Sequence, residues 1–153
     1  MWVADATDHA LVEIDPETGS VRRTLTLDFN PSAVAVRSGA IWVAGSDAGK
    51  VEEIDPASGE TLAVVQVGQG PSALAIDGDA VWVANSLDAT LSRIDPTSGS
   101  VVATIAVGSG PTAIAATAGS VWVANTYSDS VSRIDPHANK IVGTIEEIGR
   151  AHV

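Results

Sequence analysis

Cysteine is absent from the 153 residues, which excludes a disulfide scaffold, a thiolate metal site and a cysteine nucleophile. Basic residues are scarce: eight Lys and Arg against nineteen Asp and Glu give a formal charge of −11. A phosphate backbone would be repelled, and no basic stripe interrupts the pattern, so nucleic acid is excluded as a partner. No run reaches the roughly 18 apolar residues of a membrane span. The start, MWVADATDHA, lacks the basic stretch and apolar core of a signal peptide. A soluble chain is expected. No segment sustains a 3.6-residue apolar period long enough for a helix, which leaves strands.

What is present is a repeat. Hydrophobic residues make up 45% of the chain, enough for a core in one domain. They recur with a period of 40: Trp2, Trp42, Trp82 and Trp122 mark it, as do the Asp-Pro pairs beginning at Asp15, Asp55, Asp95 and Asp135. Residues 1–40, 41–80, 81–120 and a truncated 121–153 stack without a gap as far as Ile145. Within a period, short apolar stretches alternate with turn signals: PSALAI, AVWVAN, LSRIDP and SVVATIAV, separated by Gly, Asp, Ser and Pro. Each repeat therefore reads as four strands of about 5 residues. Apolar side chains on both faces of such strands suit a sheet sandwiched between neighbouring sheets. A four-stranded unit near 40 residues predicts the blade of an all-β propeller.

The turn after the third strand explains one irregularity. In Asp15-Pro16-Glu17-Thr18-Gly19 the proline presets φ, the aspartate accepts local backbone hydrogen bonds, and the last position bends left-handed. Gly19, Gly59 and Gly99 stand there in three repeats and Asn139 in the fourth. Asparagine is one of the few other residues that visit positive φ at small cost. Asp15, Asp55, Asp95 and Asp135 thus read as turn formers. The tryptophans read as rings filling the wedge between twisted blades.

The phrase VWVAN....SVSRIDP....IVGTI, with VGxGPxA between copies, resembles the YVTN-type propeller repeat and, in style, NHL repeats and the propeller of virginiamycin B lyase. The resemblance covers residues 1 to about 147. It implies a propeller that serves as a binding, sensor or surface-layer module, extracytoplasmic, and only occasionally as an enzyme. It also implies that PSAVAV is an innermost strand, so residue 1 enters a blade at its second strand. Ala151-His152-Val153 would then offer only a three-residue closing strand.

An open row of blades leaves apolar faces bare, which predicts that the ring closes on itself or that two chains join head to tail as eight blades. The resemblance favours the homodimer; a closed monomer, or a piece of a larger natural or engineered propeller, are the alternatives. Glu13, Glu53, Arg93 and Arg133 share one repeat position, so the junctions Glu53 to Arg93 and Arg133 to Glu13 would join opposite signs.

Catalytic signals are missing. His9, His137 and His152 fall at unrelated repeat positions, and no GxSxG, HExxH or EF-hand pattern occurs. The glycines of VGQGPS and VGSGPT are followed by no helix that could bind a phosphate. The lyase resembled uses His and Glu side chains around magnesium, and no position here matches such a His. The sequence implies no cofactor, no metal and no catalytic residue. A ligand, small and polar or a protein, would meet the loops that ring the end of the second strands: Asp5, Asn85 and Asn125 after Trp-Val-Ala, then Asp47, Asp88, Tyr127 and Asp129. The reading is a non-catalytic binding or scaffold module. The rivals are a purely structural assembly unit and a lyase-like enzyme that has lost its histidines.

Overall fold

In a computed structural model, described over residues 1–117 and 119–146, the chain is a row of four antiparallel sheets. The first sheet has three strands, β1 (Trp2–Asp5), β2 (Ala10–Ile14) and β3 (Val21–Thr26). The second contains β4 (Pro31–Arg37), β5 (Ala40–Gly45), β6 (Lys50–Ile54) and β7 (Thr61–Gln66). The third contains β8 (Pro71–Asp77), β9 (Ala80–Asn85), β10 (Thr90–Asp95) and β11 (Ser100–Ala106). The fourth contains β12 (Pro111–Thr117), β13 (Ser120–Asn125), β14 (Ser130–Asp135) and β15 (Lys140–Glu146). A 3-10 turn, Thr126–Ser128, follows β13. Each sheet is a meander whose strands pair in sequence order, and the first begins with the second strand of the blade pattern.

The innermost strands lie side by side along one line, β4 against β8 and β8 against β12, with β1 taking the place beside β4. Hydroxyls tie this line together. Ser32 Oγ donates to the Pro71 carbonyl at 2.6 Å, and Ser72 Oγ to the Pro111 carbonyl at 2.7 Å. Among the described residues the row does not close into a ring. The strand expected of Ala151-His152-Val153 lies outside the described residues.

Irregularities recur with the period. Register shifts fall at Glu13/Ile14, Glu53/Ile54, Arg93/Ile94 and Arg133/Ile134, and such bulges add the twist a blade needs. The Asp-Pro turns repeat to within a tenth of an ångström: Asp15, Asp55, Asp95 and Asp135 each accept a backbone N–H two residues on at 2.8 Å. Gly19, Gly59, Gly99 and Asn139 close them at φ of +70°, +79°, +62° and +53°.

The core lies between blades. Leu11 and Phe29 pack on Ile41, Val43 and Ile54, with Trp2 beside them. Trp42 and Val51 pack on Val81, Val83 and Ile94. Trp82 and Leu91 pack on Val121, Val123 and Ile134. Trp2, Trp42 and Trp82 thus each serve the junction to the following blade. Burying one such side chain contributes about 1.5–3 kcal/mol.

Candidate functional site

Two places on the blades carry polar chemistry, and the repeat register lets each be compared across copies. The first is the loop end, where the second strand of a blade turns into the third. In the third blade Asn85, fully buried, donates from Nδ2 to Thr90 Oγ1 at 3.0 Å and to Ser92 Oγ at 2.9 Å. In the fourth, Asn125 donates to Ser130 Oγ at 3.2 Å and to Ser132 Oγ at 2.9 Å. In both, the amide Oδ1 is buried without a partner. Polar groups removed from water are ordinarily paired, so these two oxygens stand out.

The second blade replaces this network completely. Gly45, Lys50 and Glu52 stand where the third blade has Asn85, Thr90 and Ser92. Lys50 Nζ pairs with Glu52 Oε1 at 2.8 Å and Asp28 Oδ1 at 3.1 Å, and lies 4.6 Å from the centre of the Phe29 ring. The Glu52 carboxylate, followed by Asp28, holds the Lys50 ammonium above its usual range despite burial. Phe29 occupies the space an asparagine would need: a Cβ on Gly45 would lie 2.6 Å from its ring. Sequence reasoning passed over Lys50, Glu52 and Phe29. Their signal is the simultaneous departure of positions 45, 50 and 52 from the pattern of the third and fourth copies.

Three of the remaining loop candidates, Asp5, Asp47 and Asp88, have backbone partners. Asp5 Oδ1 accepts from the N–H groups of Thr7 and Asp8 at 3.0 and 3.1 Å. Asp47 Oδ1 accepts from Asn30 N at 3.1 Å, and Asp88 Oδ2 from Gln69 N at 2.6 Å. Asp47 and Asp88 therefore clamp the crossover that leads into their own blade. Tyr127 is exposed and its ring lies over Gly110, where no Cβ would fit. Asp129 sits at φ +46°. Asn125 and Asp129 share a cavity, a hollow of about 210 Å³ on the fourth blade that also includes Ser130 and Val131. Among the described residues no three His, Asp or Glu converge as metal ligands.

The second place is the outward continuation of each tryptophan. Cross-strand pairing builds one ladder per blade: Trp2–Glu13–Arg23, Trp42–Glu53–Ala63, Trp82–Arg93–Ala103 and Trp122–Arg133–Gly143. Arg23, Arg93 and Arg133 hold their guanidinium carbons 5.3, 5.5 and 5.5 Å from the ring centres of Trp2, Trp82 and Trp122, a cation–π distance. The like-position charges do not meet across blades as the sequence suggested. Glu53 forms no ion pair with Arg93; Arg23 and Arg93 reach the next blade's Asp-Pro turn instead, while Arg133 Nε donates to Ser120 Oγ of its own blade at 3.1 Å. Arg23 Nη1 donates to the Ala57 carbonyl at 2.9 Å, and Arg93 Nη1 to Asn139 Oδ1 at 3.1 Å.

Grooves open along these ladders. One of about 220 Å³, between the second and third blades, is lined by Arg37, Trp42, Glu53, Pro96 and Thr97. Its counterpart between the third and fourth, about 420 Å³, is lined by Asp77, Trp82, Arg93, Pro136 and His137. The two grooves are charge-inverted: Arg37 and Glu53 in one hold the places of Asp77 and Arg93 in the other. Burial raises the Glu53 pKa.

Comparison with known proteins follows this geometry. The model of the YNCE-like beta-propeller family matches residues 33–151. Among curated proteins none matches in sequence. The chain superposes on hydrazine synthase of Kuenenia stuttgartiensis with a TM-score of 0.85 at 21% identity, covering 95% of this chain and 46% of that one. Against the dihydro-heme d1 dehydrogenase NirN in complex with DHE the TM-score is 0.77 at 15% identity, covering 99% and 36%. At these identities the likeness is one of fold. The chain spans less than half the length of either protein.

Proposed function

The chain belongs to the YNCE-like beta-propeller family, and from that premise we propose a soluble, extracytoplasmic, non-catalytic propeller module. Its ring is completed by a second copy of itself, and its loop end receives a small polar ligand or a protein. One observation carries the reading. Trp42 and Trp82 are 1% exposed beneath the blade that follows them, whereas Trp122 is only half-buried, and Ile145, at the position of Val65 and Ile105, is 53% exposed.

The complement of that bare face lies at the other end of the row. Met1, Val3 and Ile14 hold the positions from which Val121, Val123 and Ile134 press on Trp82. Met1 is 64% and Val3 37% exposed. Charge supports the same docking, since Arg133 would reach the first-blade turn containing Asp15 and Glu17, as Arg93 reaches Asn139. Light scattering should therefore give twice the 15.5 kDa chain mass, and Val3→Asp should return single chains. A single-chain mass at every concentration overturns the reading.

A second reading is favoured by the 46% coverage of the hydrazine synthase chain: the covering blades belong to one longer polypeptide. In that case the longer chain runs as a monomer. Support for a ligand at the loop end comes from the unpartnered Asn125 Oδ1 beside Asp129. Titration with calcium or with polyols should shift the amide signals of residues 125–130, and Asn125→Ala should abolish the shift.

A further inference from the structure

Three of the four ladders hold a guanidinium and one does not. Around Trp2 the site is complete: Arg23 lies over the ring, its Nε stands 3.9 Å from Glu13 Oε2, and its Nη1 donates to the Ala57 carbonyl. Every element of that site recurs 40 residues on, with Trp42, Glu53 and Thr97 in register with Trp2, Glu13 and Ala57. The cation alone is missing, because Ala63 stands in the place of Arg23. The third and fourth blades make the substitution one position earlier, as Arg93 and Arg133, so they keep a cation over the ring.

What remains between the second and third blades is a groove of about 220 Å³ lined by Glu53, Thr97 and the edge of Trp42, whose ring is otherwise buried. That is several times the ~30 Å³ share of a water molecule. Glu53 has no hydrogen-bond or ion-pair partner among the described residues, and its partial burial makes an unpaired charge costly. Arg37 also lines the groove, and its guanidinium is paired with the exposed Asp79, Nη2 to Oδ1 at 3.3 Å.

We propose that this groove is a binding site for an alkylguanidinium group, which takes the place of the missing arginine by pairing with Glu53 and donating to the Thr97 carbonyl beside the buried Trp42. The chemistry is that of an arginine side chain on a partner protein or of a free guanidino compound. This site lies within one chain and stands independently of ring closure.

The test is an amide and indole NMR titration of the intact chain with millimolar ethylguanidinium and, in parallel, with an acetylated Gly-Arg-Gly amide. Signals of Trp42 and Thr97 should shift and saturate. Glu53→Gln should weaken binding about 10- to 100-fold, the scale of a charge-assisted hydrogen bond. Ala63→Arg, which rebuilds the first-blade arrangement from within, should abolish binding and raise the melting temperature. Tighter binding of the peptide assigns the group to a partner protein; equal binding assigns it to a small free compound. No shift, or a shift of equal affinity in Glu53→Gln and Ala63→Arg chains that melt cooperatively, overturns the proposal.

Discussion

Trp82 and Trp122 occupy the same repeat position with the same cross-strand arginine, yet one ring is sealed and the other half-open. The difference is a neighbour. Trp82 is covered by Val121, Val123 and Ile134 of the fourth blade, and no described residue plays that part for Trp122. A blade therefore has no core of its own; its apolar faces become interior only when another blade arrives. This is the nearest-neighbour logic of repeat proteins, in which stability resides in the junctions.

Substitution of the two rings should expose the contrast most strongly. Trp82→Ala should cost about 3–5 kcal/mol in urea unfolding, the scale for a buried aromatic. Trp122→Ala should cost about 1–2 kcal/mol in dilute solution, in proportion to the smaller area removed from water. The gap should narrow as protein concentration rises and the second copy covers the ring. A gap that stays fixed breaks the comparison.

Lys50→Met should rank close behind, at about 3–5 kcal/mol, because it strands the buried Glu52 carboxylate. The corresponding Thr90→Val in the third blade removes one neutral bond to Asn85 and should cost only about 1 kcal/mol.

Acid should act through the turns. Arg22 and the Glu17 N–H hold the Asp15 carboxyl below its usual value. Backbone N–H groups, with Ser58 and Ser98 hydroxyls assisting at two of them, do the same for Asp55, Asp95 and Asp135. A folded pKa below the unfolded value of about 3.9 means stability that is complete above roughly pH 4 and is lost as pH falls through the folded values. Glu53 has the opposite sign. Its raised pKa means that ionisation costs stability as pH rises past the ordinary Glu range, with Arg37 the charged neighbour in the groove. Melting curves of the parent and Glu53→Gln chains across acid pH should diverge as pH rises. Curves that stay parallel remove burial as the cause.

A small effect belongs to Asn139. Asn139→Gly keeps the positive φ but loses the Arg93 bond to Oδ1 and should cost about 1 kcal/mol, whereas Asn139→Ala should cost about 1 kcal/mol more at the same φ.

Much of the architecture was legible because it is periodic. Trp, Asp-Pro and Gly at fixed spacing define the strands and turns, and the entry of residue 1 at a second strand follows from the resemblance to the propeller repeat. The polar sites were less legible because they arise where copies differ. Phe29 fills the gap left by Gly45, a contact between a crossover and a strand 16 residues apart that no repeat position announces. Ala63 in place of Arg23 looks like an ordinary surface change until the cross-strand ladder shows that it leaves Glu53 without the arginine that faces Glu13 in the first blade. The loop aspartates read as a polar ring, yet Asp47 and Asp88 spend their oxygens on backbone N–H groups of the crossovers.

The absence of cysteine provides the most direct test of the central claim, that the bare face of the fourth blade meets the first blade of another copy. Val3→Cys and Val131→Cys chains, prepared separately and mixed under mild oxidation, should form a disulfide-linked pair containing one of each, because these positions correspond to Val123 and Leu91, which pack together in adjoining blades. A mixture that yields no such hetero-pair, with the double variant bridging only within single chains, would contradict it.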